Sequence, residues 1–402
     1  MTLAFRLTGV GLLVALAGCG GQLTVTHAHS AISTPISSPF ATPTPSATPL
    51  SVSPTIRPSS SSLFPESVTF ISPSVGWVLG LVRCGEASCL RLAKTVDAGI
   101  TWTWVTGSNL SGISTAPQWH LRFADSQDGW ISGPLLFATH NAGRSWNRVA
   151  FPGAGSPRGS VTALEAAGGR VYAVIAEGRD PDTYGPVALF QSPTNADAWH
   201  LVPGVTTGQA GYGGEISIAQ GVVWVMLHPA IVTTQGDTAL STLYRSHDGV
   251  TWHRESLPCP SATVASVAAA TSARDYVVCG GGGAAGSQFK SAYRSDNAGA
   301  SYERVGDAPF AGDFEAVAAS PATVAVAAAS GGTFISASFD DGHTWVGTLA
   351  FGDGGVGLSD LGFTTATQGV VIYGQSNYPR GLQLLMTRNG GHSWTPVNVT
   401  PT

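Results

Sequence analysis

Residues 95–102 read TVDAGITW, 139–146 read THNAGRSW, 295–302 read SDNAGASY, 338–345 read SFDDGHTW and 387–394 read TRNGGHSW. Two looser copies, SPTNADAW at 192–199 and SHDGVTW at 246–252, complete the series. The closing aromatic falls at Trp102, Trp146, Trp199, Trp252, Tyr302, Trp345 and Trp394, in steps of 44, 53, 53, 50, 43 and 49 residues. A repeat of that length is the size of one small sheet, and such units bury their faces against their neighbours.

Outward from each copy the chain alternates like strands. A first apolar strand and a second one rich in Gly, Val and Trp lie upstream, as in VTFISPSVGWVLG at 68–80, LRFADSQDGWISG at 121–133 and EISIAQGVVWVML at 215–227. A third strand runs into the octapeptide and a fourth leaves it, as in WTWVTG and WNRVAF. Four strands in each of seven repeats predict an all-β fold, a single seven-bladed β-propeller of four-stranded antiparallel blades. The Ala-rich stretch 262–270 then belongs to the innermost strand of the fifth blade, where small residues suit a crowded axis.

Composition agrees. Only 11% of the 402 residues are charged, 51 are Gly, and the formal net charge is −5. Long amphipathic helices need more Glu, Lys, Arg and Leu, and scattered Lys and Arg give no footprint for nucleic acid. From Leu23 to Ser62 the chain is Ser, Thr, Pro and Ala with almost no charge. Such a tract buries too little apolar surface to offset its chain entropy, so residues 19–62 are expected to form a disordered stalk and residues 63–402 the propeller. Ahead of it, Arg6 and the apolar run Leu7 to Ala17 have the layout of a signal peptide over residues 1–18. Leu16-Ala17-Gly18-Cys19 resembles a bacterial lipobox. That resemblance implies cleavage before Cys19, lipidation of its sulfur, and an exported protein anchored to the outer face of the cytoplasmic membrane, or to the outer membrane of a two-membrane cell. Four further cysteines, Cys84, Cys89, Cys259 and Cys279, read as two disulfides in an exported chain. Cys84 and Cys89 are close enough to clamp one loop, which leaves Cys259 with Cys279. Zinc is the rival, but the spacings carry no nearby His pair.

The octapeptide pattern S/T-x-D/N-x-G-x-S/T-W resembles the Asp-box, or BNR repeat, of sialidase-like propellers. The resemblance implies a hairpin on the outer edge of the ring, far from any ligand funnel. Asp97, Asn141, Asp248, Asn297, Asp340 and Asn389 suit acceptance of backbone N–H bonds within a turn. The glycine two residues on, or one in the shorter fourth copy, suits a positive φ, and the aromatic packs between blades. The third copy lacks the glycine. Three copies carry Asn where an acid or base would need Asp, so these turns are read as structural.

Candidate ligand positions therefore lie on the opposite face, in the longer loops. These are Arg179, Asp180, Asp182 and Tyr184 in 176–186, Tyr212 and Glu215 in 204–215, Asp313 and Glu315 in 306–315, and Tyr378 and Arg380 in 374–381. No metal and no cofactor is expected. The Gly-rich run 279–286 lacks the Lys-Ser/Thr of a phosphate cradle.

The stretches VGWVLG and DGWISG with the octapeptides that follow them resemble the photosystem II assembly-factor-like branch of these propellers. That implies a non-enzymatic, monomeric scaffold that binds an extracytoplasmic protein or glycan. The alternative is a glycoside hydrolase of sialidase type. That chemistry needs an arginine triad, a Tyr nucleophile with a Glu base, and an acid/base Asp. The Arg-Ile-Pro motif of sialidases is absent, and 63–94 offers only Arg83 and Arg91.

Overall fold

The fold is that of a computed structural model, which describes residues 63–115, 118–151, 159–177, 185–229, 241–259, 264–283, 286–374 and 382–402. Among these residues the regular structure is all strand. Five sheets of four antiparallel strands span 64–104, 120–149, 264–308, 313–354 and 358–397, each pairing in sequence order. A sixth sheet, over 159–255, has seven strands. The repeat predicts 28 strands, and 27 are present among the described residues. The difference lies in one 20-residue strand, His200–Ala219. Its first half is the last strand of one unit, paired with Pro186–Pro193, and its second half opens the next, paired with Val222–Pro229. The sequence reading placed a loop at 204–215. The run is strand because its glycines let neighbouring chains close in: a Cβ on Gly211 would lie 2.6 Å from the His228 carbonyl oxygen, and one on Gly214 2.4 Å from that of Met226.

Seven apolar clusters fill the layers between successive units, and each holds one octapeptide aromatic. Trp146 packs between the first two sheets, Trp199 between the second and the seven-stranded sheet, and Trp252 inside the latter. Tyr302, Trp345 and Trp394 fill the next three layers. Trp102 lies with Val370, Ile372 and Met386 of the last sheet, so the series closes on itself. Backbone bonds reinforce the closure: Leu63 N donates to Val399 O at 3.1 Å, and Thr402 N to Trp102 O at 3.1 Å. The stretch 262–270 contributes Val264–Ala269 as the first strand of its sheet, as expected.

The turns work as their residue types require. Thr95 Oγ1 donates to Asp97 Oδ1 at 2.8 Å and accepts from Gly99 N at 2.9 Å, while Asp97 Oδ1 accepts from Thr101 N at 2.9 Å. Asn141, Asn297 and Asn389 make the same bonds in their turns. The residue before the glycine also takes the left-handed conformation, with φ +62° at Ala98 and +62° at Asp341, which the sequence reading assigned to the glycine alone. In the glycine-less third copy Ser192 Oγ instead donates to Ala196 O at 2.6 Å. Asp197 of that turn reaches His140, 3.5 Å away in the second sheet.

Repetition also explains the one Tyr in the aromatic series. In three sheets a Phe ends the first strand over a Gly that opens the second: Phe70 over Gly76, Phe123 over Gly129 and Phe363 over Gly369. A Cβ on any of those glycines would lie within 2.8 Å of the ring. Each of these Phe rings sits 6.2–6.5 Å from the Trp of its own turn. In the sheet over 264–308 the pair becomes Ala269 and Asp275, and the Trp becomes Tyr302. The carboxylate takes the vacated space, and Tyr302 Oη donates to it at 2.5 Å.

Both disulfides form as paired in the sequence, Cys84–Cys89 and Cys259–Cys279, over separations of 5 and 20 residues. Loop closure makes the longer link worth ~3 kcal/mol and the shorter ~2 kcal/mol. Guanidinium unfolding of the two Cys→Ser pairs at pH 7 is expected to rank them in that order, and the reverse ranking contradicts the entropic account.

Candidate functional site: the central channel

The first strands of all the units line one cavity of about 660 Å³. Much of its wall is small, with Ala163, Ala268, Ala316 and Ala318, and it carries His120, Arg122, Glu165, Glu215, Glu315 and Asp360.

The polar groups answer a backbone need. A first strand pairs on one side only, so its other edge presents N–H groups to the channel. Side chains on the preceding first strand accept them. Ser67 Oγ accepts from Leu121 N at 2.8 Å, and Thr162 Oγ1 from Gly214 N at 3.2 Å. Glu215 Oε2 accepts from Val267 N at 3.4 Å and Ser266 Oγ at 2.6 Å. Glu315 Oε2 accepts from Leu358 N at 3.1 Å, and Asp360 Oδ2 from Val68 N at 2.9 Å. The last of these ties the final sheet to the first.

Asp360 is the most heavily used of these groups. Its side chain is 3% exposed and its φ is +53°, in a stretch of irregular register between Ser359 and Gly362. The backbone there turns the carboxylate across the closure, where Ser67 Oγ also donates to Oδ2. Its Oδ1 lies 3.3 Å from both Arg122 Nη atoms and 3.6 Å from His120 Nδ1. Burial alone would push this carboxyl up, but Arg122, with His120 and Ser67, outweighs it and holds the group well below the usual carboxylate range. Arg122 is opposed by burial and held firmly protonated by Glu165 and Asp360. Its Nε donates to Glu165 Oε1 at 2.6 Å and its Nη1 to Leu121 O at 2.8 Å.

Of the positions nominated from sequence, Glu215 and Glu315 reach the channel, on strands rather than loops. Tyr212 sits at a β-bulge and stacks on His228, ring centroids 5.3 Å apart, and burial raises its phenol. Asp313 opens the strand Asp313–Ser320 and is exposed, not in a loop; its charge acts on Lys290. Buried Lys290 donates to the carbonyls of Gln288, Pro309, Phe310 and Ala311 at 2.9–3.2 Å, and desolvation pushes its ammonium down to about 8. Arg179, Asp180, Asp182, Tyr184, Tyr378 and Arg380 lie outside the described residues. Of the four described positions Glu215 and Glu315 share the channel wall and Tyr212 meets Glu215 through His228, while Asp313 does not line the channel. The sequence reading missed Arg122, Glu165 and Asp360, whose one signal was charge on strands otherwise apolar. Among the described residues no three His, Cys, Asp or Glu side chains gather as a metal site needs.

Small antiparallel sheets in sequence order, first strands around one channel and aromatic wedges between them define a β-propeller. No protein-family model and no curated protein sequence matches the chain. Among solved structures it is similar to YCF48 bound to a D1 peptide, with TM-score 0.53 and 18% identity over 83% of this chain and 94% of the other. It is also similar to YCF48 from Cyanidioschyzon merolae, with TM-score 0.51 and 14% identity over 83% and 97%. A GH74 enzyme from Niastella koreensis aligns at TM-score 0.36 and 15% identity, over 81% of this chain and 61% of its own.

Proposed function

We propose that the chain is an exported lipoprotein whose propeller, of seven blades, binds an extracytoplasmic protein partner as a scaffold. The lipobox-like Leu16-Ala17-Gly18-Cys19 and the Ser/Thr/Pro-rich stretch 19–62 support an anchor and a stalk outside the cytoplasm. Seven octapeptides and seven aromatic layers support the blade count, with the seven-stranded sheet counted as two blades sharing His200–Ala219. YCF48, of like fold, has been solved with a peptide bound.

The observation that carries the binding reading over glycoside hydrolysis is the engagement of the channel carboxylates. A glycosidase needs one carboxyl that gives up a proton and a second that attacks or activates water. Here Asp360 is held ionised by Arg122, Glu165 is spent on the same guanidinium, and Glu215 and Glu315 accept backbone N–H bonds. Cross-linking of the full lipidated chain in its native envelope, followed by affinity purification, is expected to recover a protein partner. Sialosides and xyloglucan are expected to be turned over no faster than in buffer. Glycan turnover abolished by Glu165→Gln or Glu315→Gln would overturn the reading.

A further inference from the structure

Three neighbouring strand ends bring together a hydroxyl, an imidazole and a carboxylate. Gly213 pairs with His228 across one side, and Leu227 with Thr242 across the other, so Ser241 stands beside His228. His228 Nδ1 is 2.9 Å from Ser241 Oγ, and His228 Nε2 is 3.2 Å from Glu215 Oε1. The other oxygen of Glu215 is fixed by Ser266 Oγ and Val267 N. The bulge between Gly211 and Gly213 carries Tyr212, whose ring lies 9° from parallel over the imidazole. His228 is 7% exposed, Ser241 is half-buried and Tyr212 is 42% exposed, so among the described residues the assembly is ordered from behind and reaches the surface at Tyr212. It lies at the end of the strand Thr242–Ser246 opposite the octapeptide turn.

We propose that Ser241, His228 and Glu215 form a nucleophile relay that cleaves acyl esters. A hydroxyl within hydrogen-bond reach of a base that is itself oriented by a third group is the arrangement such a step needs. With Nε2–H donating to Glu215, the Nδ1 lone pair is free to accept. Ser241 Oγ forms a bond to the acyl carbon while its proton passes to His228 Nδ1. The carbon–oxygen bond to the alcohol then breaks, and the alcohol departs with that proton. Water, deprotonated by the same nitrogen, attacks the acyl-serine, and the carboxylic acid leaves as Ser241 recovers its proton. Glu215 positions the ring and stabilises the imidazolium. The exposed Tyr212 ring borders the approach and offers a surface to an apolar acyl chain.

This activity does not rest on the binding role, although Glu215 also lines the channel. The test is labelling of the full chain with a fluorophosphonate, with peptide mapping of the adduct, alongside hydrolysis of p-nitrophenyl butyrate. The adduct is expected on Ser241 in the unmutated chain, where folding of a variant is not at issue. Ser241→Ala is expected to abolish labelling, and His228→Gln to slow it ~100-fold, the contribution of a positioned base. No adduct on Ser241, or an unchanged labelling rate in a folded His228→Gln protein, overturns the proposal and leaves the scaffold reading standing.

Discussion

Asp360→Ala is expected to lower the stability of the propeller by ~3–5 kcal/mol, the cost of breaking a buried pair and leaving one charge behind. The substitution removes acceptors from Ser67 Oγ, Val68 N and Arg122 together. Arg122 keeps Glu165 and the Leu121 carbonyl but stays in a half-buried site with one counter-charge fewer. Asp360→Asn keeps an acceptor for Val68 and should cost less. Asp360→Gly relieves the +53° backbone yet loses the carboxylate, so its cost should approach that of alanine. The folded-state pKa of Asp360 lies below the unfolded one. Its stabilisation is therefore complete above about pH 4 and fades as the pH falls through the folded value. Urea unfolding of wild type and Asp360→Ala at pH 7 and pH 3 is expected to give a gap that narrows in acid. A gap under ~1 kcal/mol at pH 7 would show that the pair contributes no more than an exposed one.

Asp275 is expected to produce the opposite trend. It is 0% exposed, and burial pushes its carboxyl up to about 7, with the Tyr302 hydroxyl only partly offsetting this. The folded protein thus binds this proton more tightly than the unfolded chain, whose carboxyl titrates near 3.8. The contribution of this one group is greatest below pH 4 and declines as the pH rises to 7, by ~4 kcal/mol for a shift of that size. Asp275→Asn removes the titration, so the variant's stability should lose that slope between pH 4 and 7. Isothermal denaturation at pH 4, 5, 6 and 7 measures both curves. Parallel curves would mean that Asp275 is ionised in the folded protein, with the Tyr302 hydroxyl offsetting the cost of its burial.

Local features were legible in the sequence, and features closed over distance were not. The octapeptide needs only bonds within a few residues, such as Thr95 to Asp97 and Asp97 to Thr101, so its residue types announce the turn. Cys84–Cys89 was legible for the same reason, and Cys259–Cys279 as the pair that remained. The channel cluster was not, because Asp360 meets Arg122 238 residues away and only where the ring closes. The Gly-rich stretch 204–215 reads as a loop in the sequence. Its glycines instead serve close approach of neighbouring strands, as Gly211 and Gly214 show. Glu215 and Glu315 stood out as carboxylates in the longer loops, whereas they lie on strands and accept N–H bonds from an unpaired strand edge. Tyr302 passed as a conservative aromatic, and its link to Asp275 shows only when the four-strand units are compared position by position.

That inner-strand carboxylates serve the backbone can be tested by amide hydrogen exchange at Val68, Val267 and Leu358. If Asp360, Glu215 and Glu315 hold these N–H groups, all three amides should be protected, and Glu315→Ala should speed exchange at Leu358 while leaving Val68 unchanged. Exchange at the rate of open edge amides in the unmutated protein would mean that those side chains face the channel free, and the case for binding over chemistry would fall with it.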